Sequence, residues 1–166
     1  MTPAAGCELC ALLAGSGDDV AGAAPLWRDG QVAVVLVDDP AYPGFCRVIW
    51  NGHVKEMTDL DAAERGHIMD IVWRVEQAVR AVMQPEKVNL ASFGNMTPHV
   101  HWHVIPRYRD DAHFPHPSWA VVQRETRTDV LKGRRALLPQ LRAAIIQGLT
   151  GLQQPVQQPV KKEETA

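Results

Sequence analysis

The sequence predicts an α+β fold, a single domain in which an antiparallel β-sheet is packed by one long helix and a shorter C-terminal helix. Three observations carry this reading. Short β-branched runs at 31–37 (QVAVVLV) and 45–50 (FCRVIW) are separated by Asp38-Asp39-Pro40 and Pro43-Gly44, turn punctuation that folds two strands back antiparallel. Ile68, Ile71, Val72, Val75, Val79, Val82 and Met83 recur at helical spacing until Pro85. Two more strand-like runs, 87–93 and 100–105, lie either side of Gly94 and Pro98. Strands joined through short turns, with a long helix laid against them, make an α+β domain.

In chain order, Cys7-Glu8-Leu9-Cys10 comes first, and a Gly-, Ala-, Ser- and Asp-rich loop at 15–24 separates it from a body beginning near Leu26. After the second strand, Thr58-Asp59-Leu60-Asp61 offers an N-cap with acid in the first turn of the long helix, which has about seven turns or fewer. A weaker helix at about 130–147 is broken by Pro139. The end of the chain repeats Gln-Gln-Pro-Val and finishes in charges, too polar and Pro-interrupted to form a core. The domain is therefore placed at 1–148 and a disordered Gln/Pro-rich, charged tail at 149–166.

Composition narrows the function. The chain has 166 residues, 46% hydrophobic and 22% charged. A chain of that length buries about 68–70% of its unfolded surface, so one core can hold it without disulfides. With 17 Lys and Arg against 19 Asp and Glu, there is no chain-wide basic field to attract a nucleic acid polymer or an anionic membrane. The first basic residue is Arg28, and no stretch of about 18 apolar residues occurs, so neither a secretory signal nor a spanning helix is expected. Three cysteines, an odd number, suit a reducing compartment where neighbouring thiols bind metal more readily than they pair. The expected location is the cytoplasm.

The most informative segment is His99-Val100-His101-Trp102-His103-Val104-Ile105. Successive strand side chains alternate between faces, so His99, His101 and His103 share one face while Val100, Trp102 and Val104 share the other. Four residues at about 3.3 Å rise put His99 and His103 roughly 13 Å apart, too far for all three to form one compact ligand set. Imidazole titrates near 6.5, so at neutral pH one ring is available as a nucleophile while a neighbour donates a hydrogen bond. Attack on phosphorus gives a phospho-histidine, which divides one hard displacement into two easier ones. The Gly94-Asn95-Met96-Thr97-Pro98 turn offers backbone donors for phosphoryl oxygens, with glycine permitting close approach.

HVHWHVI is similar to the His-φ-His-φ-His-φ-φ signature of the histidine triad (HIT) superfamily of nucleotide hydrolases and transferases. The order of strands, Asp-Asp-Pro turn, His53, long helix, Asn89 strand, Gly94 turn and Pro106-Arg107 also resembles that family, over about 7–107. The resemblance implies that His101 is the nucleophile and that His103 contacts phosphate oxygens. It also implies that Asn89 orients the attacking imidazole, although Asn89 could equally satisfy its own strand neighbours. The nucleotide would be held by Asp38, Asn89, Gly94, Asn95, Thr97 and His103. Three departures bear on substrate choice. Gly94-Asn95-Met96 replaces the family's Gly-Gln-Ser/Thr, with the nearest hydroxyl at Thr97; Phe45 stands where a histidine is usual; and Val37 occupies the ribose-holding position, leaving Asp38 as a substitute that could instead shape the turn.

Cys7 and Cys10 have the two-residue gap that lets both thiolates face one tetrahedral ion, although a redox pair or packed cysteines would give the same spacing. Several bacterial HIT proteins resemble this arrangement, which implies a structural Zn²⁺ held by Cys7, Cys10, His53 and His99. Cys46 reads as core and His67 as solvated. Segment 107–119 either approaches the nucleotide or forms a rigid surface loop with a buried Trp119. The resemblance further implies a homodimer and a substrate that is a phosphoanhydride or phosphoramidate of a nucleoside monophosphate, adenosine foremost, with no catalytic cofactor. The alternatives are a metal-dependent hydrolase using the histidines as ligands, and a nucleotide-binding module without turnover.

Overall fold

The computed structural model describes residues 4–15 and 25–152. Of the expected tail at 149–166, residues 153–166 lie outside the described residues, as does most of the expected loop at 15–24; Leu149 is instead the fully buried last residue of a helix, continued by a 3-10 turn at Thr150–Leu152. Five strands form one antiparallel sheet: β1 Trp27–Arg28, β2 Val32–Leu36, β3 Cys46–Trp50, β4 Lys87–Ala91 and β5 His101–Arg107. Their spatial order is β1-β2-β3-β5-β4. Among the described residues four α-helices accompany them: α1 Glu8–Ala14, α2 Ala62–Met83, α3 Thr128–Ala136 and α4 Leu138–Leu149. The expected α+β class holds, with α1 and the two-residue β1 as additions.

Each added or shifted element has a local reason. In α1 the apolar Leu9, Leu12 and Leu13 fall at one face of a two-turn helix that ends at Gly15, whose φ of 68° places it in the left-handed region. α2 begins later than Thr58, because Asp61 is the residue that closes a reciprocal capping box with Glu64. The C-terminal helix divides at Leu137, and Pro139 starts α4 rather than interrupting a longer helix, since a first-turn proline sacrifices no helical hydrogen bond. Gly44 has φ 93°, and a Cβ there would meet the Met83 side chain at 3.1 Å, so glycine both permits the turn into β3 and lets the long helix's end approach it.

The sheet is covered unequally. On one face Val34, Val48, Trp50 and Val104 join Ile68, Ile71, Val72 and Val75 of α2 and Leu141, Ile145 and Leu149 of α4 in the main core. On the opposite face α1 packs Leu9, Leu12 and Leu13 onto Ala33, Val35 and Ile49. β2 is consequently buried on both sides along its whole length, which explains a continuous apolar run where a half-exposed strand would alternate. On the α1 face β5 carries His101 and His103, and Glu8 and Leu9 of α1 line the cavity in front of them.

Candidate active site and metal centre

Strand register decides which side chains meet. His103 pairs with Arg47 on β3 and with Ala91 on β4, while His101 pairs with Ile49. The two imidazoles lie on the α1 face of the sheet with ring centroids 4.9 Å apart. In front of them is a cavity of about 590 Å³ whose walls include Phe45, Arg47, Phe93 and Trp119. That volume suits a nucleotide-sized ligand. Gly94, Asn95, Met96 and Thr97 form one side of the same cavity, so the turn expected to meet phosphate is in place.

The ring of His101 is fixed by its own strand. Its Nδ1 donates to the carbonyl of His99 at 2.6 Å, which leaves Nε2 as the nitrogen with the lone pair. Burial pushes the His101 pKa below its ordinary value, with nearby Arg47 adding to the effect against the carbonyl hydrogen bond. Burial, His101 and Arg47 together lower His103 to about 4. Both rings are therefore neutral at pH 7. The Nε2 of His103 is buried without a hydrogen-bond partner.

His99 looks elsewhere. Its ring is 1% exposed and belongs to a cluster with Cys7, Cys10 and His53, whose ligand atoms all lie within 4.8 Å of one another. Nδ1 of His99 is 3.4 Å from Cys7 Sγ and 3.6 Å from Cys10 Sγ, and His53 Nδ1 is 3.4 Å from Cys10 Sγ. The Nε2 of His99 donates to the Trp50 carbonyl at 2.7 Å, which holds Nδ1 as the free donor atom for a metal. The spacing alone left the cysteines open to other readings; the fold brings both imidazoles to them.

Other expectations fare differently. Asn89 lies two register steps from His103, opposite Ile105, and its Oδ1 accepts from Arg107 Nη1 at 2.6 Å. It does not reach His101, whose orienting acceptor is instead the His99 carbonyl. Asp38 is exposed and absent from the cavity wall, because the chain has left β2; Asp39 lines the cavity and its Oδ1 accepts from the amides of Ala41 and Tyr42 in a turn. His67 is not simply solvated, since its Nε2 meets Asp29 at 2.7 Å. Cys46 is fully buried, and burial raises its thiol to about 12. Trp119 is 61% exposed rather than buried and stands edge-on to Phe93 at 4.7 Å, so segment 107–119 does reach the cavity.

That segment is anchored by a buried pair. Arg107 donates from Nε and Nη2 to the two Asp111 oxygens at 2.7 and 3.0 Å, and from Nη2 to the His116 carbonyl at 2.7 Å. Sequence reasoning also missed Arg47 as a site residue. The available signal was a cation in an apolar strand, one residue from the buried Cys46 and Val48 and thus on the other face.

A central sheet carrying paired neutral imidazoles, backed by a Cys/His cluster, defines a histidine triad protein, and comparison with known families agrees. The HIT domain matches residues 21–110, and the chain belongs to that family. Among curated proteins, "AP-4-A phosphorylase" of Mycobacterium tuberculosis is 29% identical over 93 residues, 52% of this chain and 48% of that protein. The chain thus spans about half the length of the curated relatives it matches. A histidine triad protein from Bradyrhizobium japonicum is 27% identical with a TM-score of 0.57, covering 71% of this chain and 90% of its own. A zinc-bound histidine triad family protein from Mycobacterium smegmatis shares the fold at 22% identity and a TM-score of 0.54, covering 84% and 97%. Among the described residues, no helix is long and apolar enough to cross a membrane.

Proposed function

We propose that the protein is a nucleotide hydrolase or transferase cleaving a phosphoanhydride or phosphoramidate bond at the α-phosphate of a nucleoside monophosphate, adenosine foremost. The observation that carries this is the His101 ring, held by the His99 carbonyl so that a neutral Nε2 is left to attack. Its lone pair forms a P–N bond while the bond from phosphorus to the leaving oxygen or nitrogen breaks, and the leaving group departs with that electron pair and takes up a proton. Water then attacks phosphorus, the P–N bond breaks, and the nucleoside monophosphate and neutral His101 are regenerated with release of the water's proton. His103 and the turn containing Gly94, Asn95 and Thr97 donate to the phosphoryl oxygens, where negative charge develops. Asn89 supports the site through Arg107.

A structural zinc completes the reading. With Zn–S near 2.3 Å and Zn–N near 2.05 Å, a tetrahedral ion separates neighbouring S and N ligands by about 3.6 Å. The observed separations of 3.4, 3.4 and 3.6 Å match that edge. Cys7, Cys10, His53 and His99 would hold the ion, which ties α1 to the start of β5. This use of His99 leaves two imidazoles at the cavity, fewer than the three protein ligands of the usual hydrolytic zinc site, and so disfavours the metal-dependent hydrolase reading. A cytoplasmic homodimer is part of the proposal, with β4, the longer of the two edge strands of the sheet, as the edge offered to a second copy.

The test is AMP release from a panel of dinucleoside polyphosphates and adenosine phosphoramidates, combined with trapping of labelled enzyme. Wild type forms an acid-labile adenylyl adduct and His101→Ala does not. An adduct that persists in His101→Ala refutes the nucleophile assignment, and nucleotide binding without any AMP release makes the protein a binding module.

A further inference from the structure

Arg47 is the only cation among the described residues lining the cavity, where the other charged groups are Glu8 and Asp39. It is paired across the sheet with His103, so their Cβ atoms lie about 5 Å apart. Its Nε is buried without a hydrogen-bond partner, and so is the Nε2 of His103. No carboxylate among the described residues reaches ion-pair distance of its guanidinium. The group rests beside the Phe45 ring, 5.7 Å from its centroid. Two cross-strand neighbours on the wall of the same cavity thus each hold an unsatisfied buried nitrogen, an arrangement that costs free energy.

An anion in the cavity would pair with the guanidinium. His103 brings no positive charge at neutral pH, because burial keeps it neutral down to about pH 4. Glu8 and Asp39 on the walls oppose an anionic ligand, so a compensating cation is required if a phosphate is to enter. A guanidinium supplies that charge along with a planar fork of donors matched to phosphoryl oxygens.

We propose that Arg47 is a phosphate-binding residue, which with His103 holds the phosphoryl oxygens of the nucleotide and makes affinity depend on the phosphate rather than on the nucleoside. This rests on the reading of the cavity as a nucleotide site, though not on turnover. It assigns to β3 a part in substrate recognition that the histidine strand cannot supply alone.

The experiment is a ¹H–¹⁵N NMR titration of the full chain with AMP and, separately, with adenosine, for wild type, Arg47→Met and Arg47→Lys. Wild type binds AMP more tightly than adenosine. In Arg47→Met the AMP affinity falls about 10- to 100-fold, the range of one charge-assisted hydrogen-bonded contact, while the adenosine affinity is unchanged. Arg47→Lys recovers part of the loss, since it restores the charge but not the fork. Spectra of the free variants establish whether each is folded; an unfolded Arg47→Met leaves the Arg47→Lys titration to decide, where an AMP affinity equal to wild type overturns the proposal. Equal binding of AMP by wild type and Arg47→Met, or equal loss of AMP and adenosine affinity, also overturns it. Failure of AMP release with an intact Arg47-dependent AMP preference would instead remove the proposed reaction and leave this inference standing.

Discussion

Replacing Asp111 by alanine should be among the most damaging single changes outside the main core. The carboxylate is 1% exposed and its partner Arg107 is 2% exposed, so neither charge is screened by water. Besides the two Arg107 contacts, Asp111 accepts the amides of Tyr108, His113 and Phe114 at 3.0, 2.9 and 2.7 Å. Asp111→Ala therefore strands a guanidinium with only the neutral acceptors Asn89 and His116, and leaves three backbone donors unpaired. Breaking a buried pair from one side costs about 3–5 kcal/mol. For a domain of this size that lowers Tm by about 6–20 °C, at about 2–4 °C per kcal/mol. Arg107→Met/Asp111→Ala removes the stranded charge as well, so it should unfold above the single variant. The same carboxylate sets an acid limit. Burial alone would raise its pKa, but the Arg107 hydrogen bonds and the backbone amides outweigh that and hold it at about 2, below its ordinary 3.8. A depressed carboxyl contributes stability that is complete above 3.8 and lost as pH falls toward about 2. Thermal unfolding by circular dichroism across pH 2–7 measures both effects. A loss below about 1 kcal/mol in Asp111→Ala, or a double variant that melts lower than the single, refutes this account of the anchor.

Two further predictions concern the site. Cys10→Ser should remove near-stoichiometric zinc from purified protein, measured by elemental analysis, and lower Tm, because Cys10 Sγ lies against both His53 and His99; equal zinc in wild type and variant, or none in either, counts against the metal centre. His103, faced by His101 and Arg47 in a cavity that also includes Glu8 and Asp39, should stay neutral in an NMR titration until about pH 4. A histidine whose folded pKa is depressed contributes stability that is complete above its ordinary 6.5 and declines as pH falls toward about 4, so a midpoint near 6.5 in the folded protein contradicts the burial argument.

Much of the fold was legible because the apolar patterns were long and punctuated. The seven apolar positions of α2 and the His-φ-His alternation of β5 each needed one strong period and no tertiary help. α1 was not assigned as a helix, since two turns of ELCALLA are too short to stand alone and gain their stability from Ala33, Val35 and Ile49, residues distant in sequence. The metal cluster could be named only through resemblance, because its four ligands come from three separate parts of the chain. Arg47 escaped for a related reason, because it enters the cavity through β3–β5 register, which is not local. Trp119 stood between two readings of segment 107–119, and its contact with Phe93 on the cavity wall decides between them. Asn89 shows the converse: a residue of the right type on the right strand can still face a point four residues along β5 from its supposed target, His101.

The acceptor behind His101 is a peptide carbonyl, not a carboxylate. A carboxylate in that place could be silenced by acid, and its charge would also make the attached imidazole a stronger base. A carbonyl does neither, since it has no proton to gain within the range in which proteins survive. The tautomer of His101 is thereby set by covalent chain geometry, two residues away, and is insensitive to the surrounding acidity. Because the ring of His99 sits beside two thiols, the orientation of the His101 imidazole is vulnerable from a different quarter, that of oxidants: joining Cys7 and Cys10 as a disulfide would remove the thiol contacts of His99, and would be felt at the cavity through a single peptide unit.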